Sequence, residues 1–76
     1  MEFDYSKLLG RIKEKGLTQA QLSSLVDMTP GTMSMKLNNR AYFRQAEIFA
    51  ICDVLDIPIS EIGEYFFVRK VRKNTN

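Results

Sequence analysis

An all-α domain of five short helices is predicted, and three observations carry that reading. Apolar residues recur at helical spacing through most of the chain. Two marked helix starts, at Thr18 and Thr29, open helices that stand back to back with only a few residues between them. Further on, Ile48, Ile51, Cys52 and Leu55 follow the i, i+3, i+4, i+7 pattern, the strongest periodicity in the sequence. There is no internal repeat and no low-complexity linker.

Each helix has local chemistry behind it. Asp4 caps the first, with Leu8, Leu9 and Ile12 as its inner stripe and Gly16 as its stop. Thr18 opens the second, and Gln21, three residues on, completes a capping box; Leu22, Leu25 and Val26 face inward. Thr29 opens the third, with Pro30 at the first helical position, where the missing N–H has no intrahelical partner. Met33 and Leu37 form its inner stripe. Asn38-Asn39 ends it, Asn39 taking the left-handed conformation that Asn tolerates.

The fourth helix runs from Arg44 to Leu55, with Phe49 widening the stripe, and Ile57-Pro58 breaks it. Ser60 caps a short fifth helix carrying Ile62 and Phe66. From Tyr65 the texture becomes β-branched, aromatic and basic. The run Phe66 to Lys73 can extend the fifth helix, form a short strand or fray, and a strand paired with its symmetry mate is one route to a dimer. Residues 1–68 are read as the folded domain and 69–76 as a basic, flexible tail.

Composition narrows the function classes. At 76 residues the chain is one domain that buries about 60–65% of its unfolded surface. One Cys and no His rule out an intrachain disulfide and leave a zinc site without ligands. Cys52, inside an apolar helical pattern, reads as a buried inert thiol. No apolar run reaches the roughly 18 residues of a membrane span, and the N-terminus has acids in place of a signal-peptide core. A cytoplasmic location is expected. Without His, sheltered carboxylate pairs or a Gly-rich phosphate loop, no enzyme is expected, nor a cofactor, metal or small-molecule ligand.

The net charge of +2 hides an asymmetry. Arg69, Lys70, Arg72 and Lys73 supply four of the 11 basic residues, leaving seven against nine acidic ones. Those seven, Lys7, Arg11, Lys13, Lys15, Lys36, Arg40 and Arg44, all precede residue 45, whereas Asp53, Asp56, Glu61 and Glu64 follow it. A one-sided basic domain suits a phosphate surface. An ordinary mixed surface accounts for the same charges equally well.

The segment Thr18 to Leu37 has the outline of a helix-turn-helix, which lays its second helix in a DNA major groove about 12 Å wide. With Met33 and Leu37 inward, Gly31, Thr32, Met35 and Asn38 point outward and Ser34 and Lys36 lie at the flanks. Together with Thr29, these seven residues are the candidate base contacts. Thr32, Ser34 and Asn38 can hydrogen-bond base edges, and Lys36 can reach guanine or phosphate. Met35 can meet thymine methyls or be a single exposed apolar residue; Gly31 can permit close approach or simply be tolerated in a first turn. Thr18 and Gln19 at the start of the second helix, and Asn39, Arg40, Tyr42 and Arg44 after the third, are candidate phosphate contacts. Tyr42 is equally open to partial burial, and Phe43 is assigned to the core. Tyr65, Phe66, Phe67 and Val68 are the candidate dimerisation residues.

Thr18-Gln19-Ala20-Gln21-Leu22, Thr29, Met33-Ser34-Met35-Lys36-Leu37-Asn38 and Ile57-Pro58-Ile59-Ser60-Glu61-Ile62 together resemble the lambda-repressor-like helix-turn-helix family of phage repressors and Cro proteins. The ending Tyr65-Phe66-Phe67 is similar to that of small Cro-like regulators of Gram-positive phages and prophages. The resemblance spans residues 5 to 67. It implies a five-helix domain that binds double-stranded operator DNA as a dimer on a two-fold symmetric site, with Gln19 on phosphate and the exposed residues of the third helix on bases. Three positions depart from the pattern: Asp27 replaces the usual turn Gly, Arg44 replaces a Ser or Thr cap, and Pro30-Gly31 replace residues that often touch bases. The function so implied is a Cro-like transcriptional repressor. The alternative is a protein-interaction adaptor, antitoxin- or antirepressor-like, that uses the helix-turn-helix surface or the basic tail.

Overall fold

A computed structural model describes residues 1–71, in which five α-helices pack around one core. They are α1 (Ser6–Glu14), α2 (Gln19–Leu25), α3 (Pro30–Leu37), α4 (Gln45–Leu55) and α5 (Ile62–Phe66), with a turn of 3₁₀ helix at Ile59–Glu61 leading into α5. The basic tail expected at 69–76 falls mostly outside the described residues.

The helix starts follow the sequence closely. The Thr18 hydroxyl accepts from the Gln21 N–H at 3.1 Å, and the Gln21 side chain accepts from the Thr18 N–H at 2.9 Å. The Thr29 hydroxyl accepts from the Thr32 N–H at 3.2 Å, with Pro30 first in the helix. Asp4 acts one residue earlier than a true cap: Tyr5 is the capping position, and the Asp4 carboxylate accepts from the Ser6 N–H at 2.8 Å. Ser60 makes no capping bond; Glu61 N–H turns back to the Pro58 carbonyl at 2.9 Å instead.

The ends of α1 to α4 share one device. Gly16, Asp27, Asn39 and Asp56 all have φ between +53° and +71°. Behind each, the next N–H reaches back to a carbonyl of the last turn: Leu17 to Ile12, Met28 to Ser23, Arg40 to Met35 and Ile57 to Cys52, at 2.8–3.1 Å. These bonds satisfy carbonyls that a helix end otherwise leaves bare.

The core is built from Tyr5, Leu8 and Ile12 of the first segment, Leu22 of α2, Met33 and Leu37 of α3, the four-residue stripe of α4, Ile57, and Tyr65 and Phe66 of α5. Cys52 is buried there, and that burial pushes its thiol up from its ordinary pKa. Three expected core residues lie outside it. Leu9, Leu25 and Phe49 are exposed. Each stands one to three positions from a fully buried neighbour, on the edge of a stripe that the next helix does not cover. Tyr5, by contrast, is buried. On α2 the buried partner of Leu22 is Ser23, whose hydroxyl donates to the Gln19 carbonyl at 2.7 Å. A side chain that small lets α2 and α3 approach closely.

The two ends of the described residues meet. Phe3 and Arg69 form an isolated antiparallel bridge, flanked by Asp4 N–H to Val68 carbonyl at 2.7 Å and Lys70 N–H to Glu2 carbonyl at 2.9 Å. The residues after α5 therefore pair with the chain's own start. On the other edge of Phe3, the Asn39 amide accepts from its N–H at 2.8 Å and donates to its carbonyl at 2.9 Å. Asn39 thus stands in for a third strand. Asn39→Gly keeps the left-handed backbone and removes only this clamp. It is expected to lower stability by about 1–2 kcal/mol in urea melts, for two hydrogen bonds, and to speed amide exchange at Phe3.

Candidate functional site

The helix-turn-helix is α2, the turn Val26–Thr29, and α3. The turn is held by Asp27 at φ 58°, so Asp does supply the backbone shape that Gly usually provides there. The structure brings the candidate base contacts to one side of α3: Thr29, Gly31, Ser34, Met35 and Asn38 are exposed and Thr32 is half-buried. Their polar atoms are partly occupied. The Thr29 hydroxyl donates to the Thr32 hydroxyl at 2.9 Å, and the Asn38 amide donates to the Ser34 carbonyl at 2.8 Å.

Lys36 departs from its expected position. It is only 7% exposed, and its ammonium hydrogen-bonds the Glu47 carboxylate of α4. Its stem lies along the edge of the core and its head finds an acid there, the usual solution for a buried cation. The same Glu47 oxygen accepts the Arg44 N–H at 2.7 Å and so closes the start of α4. Burial works to raise the Glu47 pKa. The bonds from Lys36 and Arg44, with their positive charges, outweigh it and hold the carboxyl below its usual range. Lys36 is the only charged residue of α3, so the helix itself offers a groove no cation; the nearest is Arg40, which shares a surface hollow with Ser34, Met35 and Asn38.

The expected basic side is also largely neutralised. Lys7 pairs with Glu64 and Lys15 with Asp56, both at 2.6 Å. Arg11 donates to the Leu55 carbonyl at 2.9 Å and the Asp56 carbonyl at 3.2 Å, covering the C-terminal end of α4. The cations of the first half have folded onto the acids of the second. Among the described residues before 45, Lys13, Arg40 and Arg44 keep no ion pair.

The candidate phosphate contacts divide in the same way. Gln19, Arg40 and Arg44 are exposed, Thr18 is exposed but engaged in its cap, and Asn39 is committed to Phe3. Tyr42 is 61% exposed and its ring meets Phe3 edge-on at 6.1 Å. Of the dimerisation residues, Tyr65 and Phe66 are buried in the monomer core and unavailable, because α5 docks through them. Phe67 and Val68 remain exposed.

Sequence reasoning missed an aromatic pocket of about 320 Å³ between the N-terminal segment, the loop after α3 and the end of α5. Its parts are far apart in the chain; the only signal was the unusual aromatic density at both ends. No group of His, Cys, Asp and Glu among the described residues is arranged to hold a metal, and no helix there is long and apolar enough to cross a membrane.

Lys36→Met should cost roughly 1.5–3 kcal/mol at pH 7, since it strands a half-buried carboxylate. Because the folded Glu47 pKa is depressed, its contribution is present above the ordinary carboxylate range, about 4.3, and fades as pH falls through the lower folded value. Urea melts between pH 7 and pH 3 check this: Glu47→Gln should lower stability at pH 7 and flatten the acid limb.

The profile of a family described as a protein of unknown function (DUF739) matches residues 1–69. The solution structure of the modulator of repression (MOR) of the temperate bacteriophage TP901-1 from Lactococcus lactis is similar at 37% sequence identity, with a TM-score of 0.76, covering 88% of this chain and 90% of that one. No curated protein matches.

Proposed function

The chain belongs to the DUF739 family, and on that premise we propose that it modulates phage repression by docking on a repressor protein. The observation that carries this reading is the burial of Lys36: the helix that would enter the groove presents Thr32, Ser34, Met35 and Asn38 and no positive charge. Phosphate contacts supply most of the affinity of DNA-binding domains, and of the four cations on α1 and its C-cap, Lys7, Arg11 and Lys15 are already paired. A helix face with an exposed Met and one flanking cation, Arg40, suits a protein partner better than a polyanion. The similarity to a phage modulator of repression supports the same assignment.

Operator binding is the second reading, and Gln19, Arg40 and Arg44 favour it, since all three are exposed beside the helix-turn-helix. One titration separates the two. The chain is added to the repressor encoded in the same phage genome, bound to its operator. Modulation predicts at least a tenfold change in the repressor's operator affinity under conditions where the chain alone does not retard the duplex. Retardation by the chain alone, with a log K against log salt slope of about −0.9 per phosphate and no effect on the repressor, would overturn it in favour of operator binding.

A further inference from the structure

We propose that the aromatic pocket is a docking site for one large apolar side chain carried on an acidic segment of a partner protein. The inference rests on reading the chain as a protein-docking module, and it adds a place and a chemistry to that reading. Tyr5, Phe43 and Phe66 form the floor, a chain of rings meeting edge-to-face at 5.5 Å. Phe3 stands above, edge-on to Tyr42 at 6.1 Å and to Phe67 at 6.0 Å. Tyr42 and Phe67 are 61% and 53% exposed, so the pocket opens to solvent through two aromatic rings. Its volume of about 320 Å³ accommodates an indole or phenyl group, and a lining of this kind is where an aromatic or aliphatic anchor loses water most favourably.

The charge around the mouth selects among partners. The N-terminal segment is extended, so its side chains alternate. Glu2 and Asp4 line a second cavity with Lys70, Asn38 and Asn39, whereas Met1 lines the aromatic one and Phe3 reaches both. Arg69 stands directly opposite Phe3 in the antiparallel bridge, and directly opposed residues share a face, which places Arg69 on the side of Phe3. Arg69 has no acidic partner among the described residues. A guanidinium on the Phe3 side of an apolar pocket, with no carboxylate in the lining, complements an anchor flanked by Asp or Glu. The same charge disfavours a second copy seated mouth to mouth, which would bring the two arginines together.

The test is an NMR titration of the isotope-labelled full chain with two capped pentapeptides: Glu-Asp-Trp-Glu-Asp and its counterpart with Lys at the four acidic positions. The acidic peptide is expected to shift the amides of Phe3, Phe43 and Phe67, and to bind at least tenfold more tightly than the basic one. Phe67→Ser and Arg69→Glu, both at exposed positions, should each weaken it at least fivefold with an unchanged far-UV spectrum. No shift at the pocket, shifts confined to α3, equal affinity for the basic peptide, or pocket shifts that depend on protein concentration alone would each overturn the proposal. A Phe67→Ser chain that still modulates the repressor fully overturns the pocket and leaves the modulator reading intact. A wild-type chain that takes the acidic peptide at the pocket but leaves repressor binding unchanged does the reverse.

Discussion

The contact between Lys36 and Glu47 governs how the helix-turn-helix presents itself. One carboxylate oxygen receives the ammonium of α3 and the first N–H of the α4 cap, so a single group fixes the roll of α3 and the start of its neighbour. In a half-buried setting such a pair is weakly screened by salt. Rolling α3 outward to free the lysine would strand the acid and lift Met33 and Leu37 from the core. The absence of a cation from the outer face of α3 itself is thus a consequence of packing.

Local chemistry made the helices legible. Thr18 with Gln21, Thr29 with Pro30, and the stops at Gly16 and Asn39 each act within a few residues, and each is found where the sequence places it. What periodicity could not supply is which edge of a stripe its neighbour covers. Leu9 and Leu25 are as apolar as Leu8 and Leu22, yet they lie where no helix crosses, and the burial of Ser23 depends on how near α3 approaches. The outer face of α3 was readable because Met33 and Leu37 define it. The inward turn of Lys36 was not, because its partner comes from another helix. For the same reason the charge segregation misled: opposite signs in the two halves of the chain meet as ion pairs once α1 lies against the ends of α4 and α5.

The left-handed helix ends show why Gly occurs at only one of four equivalent positions. Gly adopts this backbone with least strain but offers no side chain. Asn39 uses its amide to hold Phe3, and Asp56 uses its carboxylate to hold Lys15. At these two sites a long-range bond offsets the conformational cost, so the same residues end a helix and fasten a distant segment. The aromatic pocket draws on that fastening, since Asn39 and the bridge to Arg69 together hold the backbone of Phe3.

The bridge between Phe3 and Arg69 also has a consequence for the order of folding. It joins positions separated by nearly the whole described chain, and closing so long a loop comes late because its entropy must be met before the contact repays it. Until the bridge closes, Phe3 is held toward the pocket by the Asn39 clamp alone, a contact that spans little more than half as much of the chain.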